Sequence, residues 1–272
     1  MKVGFASLEQ QQTAQSDGYR VNMSRLASGL QRRVGADLYA GVGLSYERSG
    51  LDAINARVNG DRVEAGVIIK RVVDDTRLSA SLTGAYGRYD SLRNVSALLA
   101  AQSARAKYSQ WALSAHGRAS HDFVRDDNAY IRPMLSVGLQ QQVRGGYSED
   151  GAGPLNLTVS RTTSTAVTLQ PAIEVGNERV LTNGILLRPF FRLGATHYVT
   201  GRDQHVTAGL SAAPAGTGTF TVTSQNGRNY TDVALGVDLL TRAGGTLRLD
   251  HEGQYASDSS ANTTSLKWSM PF

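Results

Sequence analysis

The chain has 272 residues, 40% of them hydrophobic and 19% charged, with a formal net charge of +5 and a pI near 9.5. This composition excludes a disordered polyelectrolyte, and no run approaches the ~18 uncharged apolar residues of a transmembrane helix. The absence of cysteine excludes disulfide scaffolds and thiolate metal sites, and the basic residues, mostly arginine, are dispersed instead of clustered among stacking aromatics, which argues against nucleic acid as a partner.

Period-two alternation runs through the chain from the start. The opening MKVGFASLEQ turns polar too early for the apolar core of a signal peptide. The natural start is therefore expected upstream, or Met1 is an added residue. A first strand is expected at about 2–8 and a second at 18–33. In the third, Leu38, Ala40, Val42, Leu44 and Tyr46 alternate with Asp37, Tyr39, Gly41, Gly43 and Ser45. Strands follow at about 62–72 and 77–89. The stretch SLRNVSALLAAQSARAKY, 91–108, reads as a short helix within a loop, before a strand at 108–120. Next, Ile131, Pro133, Leu135, Val137 and Leu139 alternate with Arg132, Met134, Ser136 and Gln140, and Val167, Leu169, Pro171, Ile173 and Val175 with Thr168, Gln170 and Glu174. Pro189, Phe191, Leu193 and Ala195 alternate with Arg188, Phe190, Arg192, Gly194 and Thr196. Val233, Leu235, Val237 and Leu239 alternate with Asp232, Ala234, Gly236 and Asp238, and Leu247 and Leu249 with Arg248 and Asp250. The chain closes on SLKWSMPF, in which Leu266, Trp268, Met270 and Phe272 alternate with polar residues. Glycines sit inside strands, as in AGVGLSY and TGAYGRY, where they mark bends or close backbone approach.

The connections alternate in length. Those containing RRVGAD, VVDDT, HDFVRDDNA, ERVLTNG and TRAGG are short. Those at 9–17 and 256–263 are moderate, and those at 48–60, 91–107, 144–161 and 200–227 are long. In an up-and-down sheet alternate turns lie at one end, so one end is trim and the other carries large loops. The polar positions of the strands hold Arg, Glu, Asp, Gln, Ser and Thr. A soluble barrel of twelve strands is too wide to fill with the small residues on hand, because diameter grows with strand number. Turned inside out, with apolar residues to lipid and polar residues to a wet lumen, the pattern is coherent. The expected fold is all-β: a single transmembrane antiparallel up-and-down β-barrel spanning 1–272, with about 12 strands, short periplasmic turns and long extracellular loops. Glu64, Lys70, Arg132, Glu174, Arg188, Arg192, Asp238, Arg248 and Asp250 share the lumenal parity. They line a hydrated wall for a passing polypeptide, or pair with one another to hold the barrel's shape. Their mixed sign argues against a strongly ion-selective pore.

Enzymatic signals are weak. Ser114 and His116 share a strand face, but Asp250 and His251 point to opposite faces, and no G-x-S-x-G occurs. Asp126, Asp127 and Asn128 lack the further ligands of a calcium loop and read as an Asx turn. GGYSEDGAGP, 145–154, lacks the lysine and helix of a phosphate loop. It and 211–227 read as flexible surface loops. The chain is therefore expected not to be an enzyme, with neither metal nor cofactor.

The closing strand with its terminal Phe272 resembles the assembly signal of bacterial outer-membrane proteins. With YAGVGLSYERSGLD, LRPFFRLGATHY and LKWSMPF, nearly the whole chain resembles the translocator β-domain of a type V secretion autotransporter. That resemblance implies a Gram-negative outer-membrane barrel, inserted by the barrel assembly machinery with periplasmic chaperones, that exports an N-terminal passenger. The family's linker helix threads the lumen and joins passenger to first strand; neither helix nor passenger is present in this sequence. The alternative is a stand-alone porin-like or adhesive barrel.

Overall fold

The structure is a computed structural model that describes residues 1–12, 17–97, 100–182, 184–214 and 216–271. Among these residues twelve long strands form the wall. In chain order they are β1 (Lys2–Gln10), β2 (Tyr19–Arg33), β3 (Leu38–Ala53), β4 (Ala56–Val73), β5 (Thr76–Ala97) and β6 (Ala100–His121). They continue as β7 (Ala129–Arg144), β8 (Thr162–Asn177), β9 (Leu186–Thr200), β10 (Asn229–Leu240), β11 (Thr246–Tyr255) and β12 (Ser259–Ser269). Each pairs antiparallel with its sequence neighbours, and β12 pairs with β1 from Lys2↔Lys267 to Gln10↔Ser259, which closes the cycle. Closure leaves no wall strand with an unpaired edge in lipid, where an unmet backbone amide costs several kcal/mol.

Side chains partition by strand parity. On β7, Leu135, Val137 and Leu139 are 46–47% exposed on the outer face, whereas Ser136 between them is 4% exposed and Arg132 8%. On β12, Leu266, Trp268 and, just past its end, Met270 stand outward among the exposed apolar residues; Phe272 lies outside the described residues. Tyr46, Tyr86 and Trp111 are linked through Val63 in one cross-strand row on the outer face, with the Tyr86 and Trp111 ring centroids 4.6 Å apart. Trp268 and Phe123 are exposed near the opposite end. The segment of β5 from Leu78 to Tyr86, with its apolar outer face, is nine residues long, matching the ~9–11 that a tilted strand needs to cross a bilayer. Aromatic rows at both ends are the interfacial girdles of such barrels.

Glycines within strands make room for rings. Gly60 faces Tyr89, and a Cβ on it would lie 2.1 Å from that ring; Gly176 faces Tyr130, where the distance would be 2.6 Å. Each ring lies over the bare backbone of its cross-strand partner, a way of filling the gap that an in-strand glycine leaves.

Four expectations are corrected. Residues 91–108 contain no helix among those described: β5 runs on to Ala97 and β6 starts at Ala100, in register from Ser91↔Ala106 to Asn94↔Ser103. Residues 98 and 99 lie outside the described residues. The Ala-rich composition favours helix, but a continuous backbone ladder overrides so weak a preference. The connection expected at 48–60 is mostly strand, with β3 reaching Ala53 and β4 starting at Ala56. The outward reach there comes from prolonged strands instead of a loop.

Neither expected flexible loop is structureless. Tyr147–Ser148, Leu157–Val159, Asp203–Leu210 and Phe220–Gln225 form a separate four-stranded sheet at the long-loop end, and Gly153–Leu155 makes a 3-10 turn beside the fully buried Ala152. This sheet is tied to the β5–β6 extension by an isolated bridge, Arg105↔Asp150, and by Arg93, whose Nε donates to Glu149 at 3.0 Å. Tyr89, Tyr108 and Tyr147 stack between them, with centroids 5.3 and 5.0 Å apart. Burial, and then the neighbouring Tyr147, pushes the Tyr108 hydroxyl up to about 12, so it stays neutral and packs as an apolar plate. Position 215 lies outside the described residues.

The lumenal charge network as candidate functional site

Inward parity and antiparallel register bring separate arginines and carboxylates into one network. Its centre is Arg132 on β7, whose Nη1 donates to Glu174 on β8 at 2.6 Å and whose Nε and Nη2 donate to Asp122 at 2.5 and 2.9 Å. Asp122 lies in the turn after β6 and also accepts from Arg77 at 2.7 and 3.2 Å. Glu174 accepts a second bond from the Tyr130 hydroxyl at 3.0 Å, and the Arg132 guanidinium stacks over that ring at 4.7 Å. Glu174 is 3% exposed, and charges withdrawn from water this far are tolerated only when paired and hydrogen-bonded.

The network continues around the wall. Arg192 approaches Glu174 at 3.9 Å and pairs with Glu252. Arg248 binds Asp238 through both nitrogens at 2.5 Å and lies over Phe190 at 5.1 Å. Such paired contacts to one carboxylate are the strong form of ion pair. Arg188 pairs with Glu178 in the preceding turn. Among the described residues, Asp250 accepts from the Ser265 hydroxyl alone, 2.9 Å from each oxygen. Glu64 sits apart, joining Arg25 and Arg62 from β2 and its own strand. Lys70 lies near the Tyr39 ring, 6.0 Å from its centroid.

All nine lumenal residues expected from the sequence face inward, but they are not one cluster. Arg132, Glu174 and Arg192 come together, Arg248 and Asp238 form a pair, and Glu64, Lys70, Arg188 and Asp250 have other neighbours. Sequence reasoning missed Asp122, Arg77, Arg118 and Tyr130. Arg77 and Arg118 lie inside the strands expected at 77–89 and 108–120, where the inward parity marks them. Asp122 gives no such signal, because it falls in a turn where the period ends. Chemically, the arrangement is a polar sleeve with fixed ion pairs on its wall and two open spaces of about 270 and 450 Å³. Eight strands suffice for side chains to fill a barrel, and diameter grows with strand number, so twelve enclose more space than that.

The sequence pattern of the family described as autotransporter beta-domain matches residues 1–252. No curated protein sequence matches the chain. Solved structures do. The translocator domain of the autotransporter NalP from Neisseria meningitidis superposes with a TM-score of 0.80 at 13% identity, covering 100% of this chain and 86% of that one. The β domain of the Bordetella autotransporter BrkA gives 0.67 at 17% identity, covering 99% and 98%. The transport unit of AIDA-I from Escherichia coli gives 0.59 at 12%, covering 100% and 89%. At such identities the superpositions speak for the fold, which is the same closed barrel. With a family pattern over most of its length, a lipid-facing exterior and a charged, hydrated lumen, the chain belongs to the autotransporter β-domain family and is an outer-membrane β-barrel translocator for export of a passenger.

Proposed function

We propose that the barrel resides in the outer membrane of a Gram-negative bacterium. It is delivered by periplasmic chaperones and inserted by the barrel assembly machinery, which reads Leu266, Trp268, Met270 and Phe272. A passenger joined upstream of Lys2 passes up the lumen and is held there by a linker helix. The observation that carries this reading is the position of the first residue. The Met1 amino group donates to the Trp268 carbonyl at 2.6 Å, and the Trp268 amide donates to Met1 at 2.8 Å. β1 therefore rises from the short-turn end. Any segment joined before it starts on that side and reaches the long-loop end by way of the lumen.

In this reading the barrel performs no covalent chemistry. That is supported by the ring nitrogens of His121, His197, His205 and His251, which meet hydroxyl or amide groups of Thr76, Asn229, Thr223 and Thr264. A nucleophilic site needs its histidine oriented by an acid. The cysteine-free sequence makes the test clean. One cysteine is placed in a helical linker fused upstream of Lys2, and one at lumen-lining Ser79→Cys or at lipid-facing Leu78→Cys. A disulfide to position 79 and none to position 78 is expected. Cross-linking to neither, in a barrel that folds, contradicts the lumenal path.

A further inference from the structure

The arginines at 77, 132, 188, 192 and 248 each meet a carboxylate. Not every lumenal cation does. Among the described residues, Lys2, Lys70, Arg118 and Lys267 have no acid within ion-pair distance. Arg118 donates to the Ser136 hydroxyl at 2.9 Å. The charged groups nearest in effect to Lys70 are all cations: Arg77, Lys267 and Arg132. Lys267 stands in register between Arg248 on one side and Lys2 on the other. The larger open space, about 450 Å³, has Lys70 and Arg118 in its wall, and its one carboxylate, Glu174, is already taken by Arg132. On the opposing side, Asp232 and Asp250 are inward acids without a basic partner among the described residues: Asp232 accepts from Thr196 and Gln254, and Asp250 from Ser265. Four such cations against two such acids leave an excess of two positive charges. Mixed sign along the strands argues against a strongly ion-selective pore. Once the pairs are drawn off, the residue is positive.

We infer that Lys70, Arg118 and Lys267 form an anion-binding site in the short-turn half of the lumen. It takes a small anion from solution, or the carboxylate of an acidic side chain on a polypeptide lying in the barrel. The site faces water, so its field is screened over ~10 Å at 0.1 M salt and ~3 Å at 1 M. Its effect is a preference and not a trap. The first source rests on the barrel alone. The second rests also on the lumenal path proposed above.

The test uses the purified full chain in planar bilayers under a KCl gradient. The sign of the zero-current potential is expected to show chloride permeating about threefold better than potassium at low salt, the scale set by two charges ~10 Å from an ion in water. The preference fades as salt is raised. Lys70→Gln with Lys267→Gln leaves Lys2 and Arg118 balanced by Asp232 and Asp250 and is expected to abolish selectivity; Lys70→Glu with Lys267→Glu is expected to reverse it. Heat-dependent gel mobility checks that each variant is folded, and the Gln pair decides the matter if the Glu pair does not fold.

A second arm adds alanine-rich helical peptides of about 20 residues, long enough to span the ~30 Å hydrocarbon. They carry Glu, Gln or Lys at matched positions. Stronger block by the Glu peptide, lost in the Gln pair, assigns the site to a polypeptide carboxylate. Anion preference without peptide discrimination assigns it to small anions. A cation-selective or unselective wild-type pore that also fails to discriminate among the peptides overturns the proposal, and leaves the translocator reading untouched.

Discussion

At the scale of single residues, the lumen separates ion pairs that carry weight from those that do not. Glu174 meets Arg132, Arg192 and Tyr130 while almost fully buried. Glu174→Gln keeps the shape but removes the charge, and is expected to cost about 3 kcal/mol, the low end for breaking a buried pair, given the water nearby. Arg57 and Asp52 are more than half exposed, so Arg57→Ala is expected to cost about 0.5 kcal/mol or less. Urea midpoints of the folded barrel, read by gel mobility, compare the two; equal shifts contradict a buried network. Gly176→Ala drives a methyl into the Tyr130 ring and through it disturbs the bond to Glu174, with a loss of about 1–3 kcal/mol expected from overpacking. Gly84→Ala, with open space around the new carbon, is the matched substitution and is expected to be near neutral. Parity alone placed the nine lumenal side chains. It gave no information on which pairs form, since partnering depends on register between strands up to 60 positions apart, such as Arg192 with Glu252.

At the scale of elements, the alternating strands were legible because one face must be apolar and the other polar for a barrel in lipid. What was not legible lay outside the bilayer, where both faces of a strand are wet and the period fades. Residues 48–60 and 91–107 read as loops for that reason, although β3 and β4 run to Ala53 and from Ala56, and β5 and β6 to Ala97 and from Ala100. The closing strand matters most, since without it β1 and β11 present open edges to lipid. Trp268→Asp puts a charge on the lipid face, where the cost runs from ~2–4 kcal/mol for a basic residue at the midplane to ~0–1 near the interface and is less for Asp or Glu. Lys267→Ala, on the lumenal face, carries no such cost. Trp268→Asp is therefore expected to lower the yield of heat-modifiable barrel in outer-membrane fractions, and Lys267→Ala to leave it unchanged. Similar yields from both contradict the assigned faces. Phe272→Ala, which adds no charge, tests recognition of the terminus separately. Replacing 203–225 by a short turn is expected to leave barrel assembly intact, because that hairpin pairs with Leu157–Val159 and adds nothing to the wall ladder.

At the scale of the whole molecule, topology sets the direction of traffic. An even number of strands returns the chain to the side from which β1 departs, so Met1 and Trp268 meet at the short-turn end. A lipid-tight wall with a polar sleeve inside then offers an upstream segment one sheltered route across. The central claim is that a polypeptide fused upstream of Lys2 reaches the cell surface. The direct measurement fuses a signal peptide, a folded epitope tag and a helical linker at that point, and exposes intact cells to added protease. The account predicts that the tag is digested while a periplasmic marker survives. A barrel that assembles in the outer membrane with its tag still protected would contradict it.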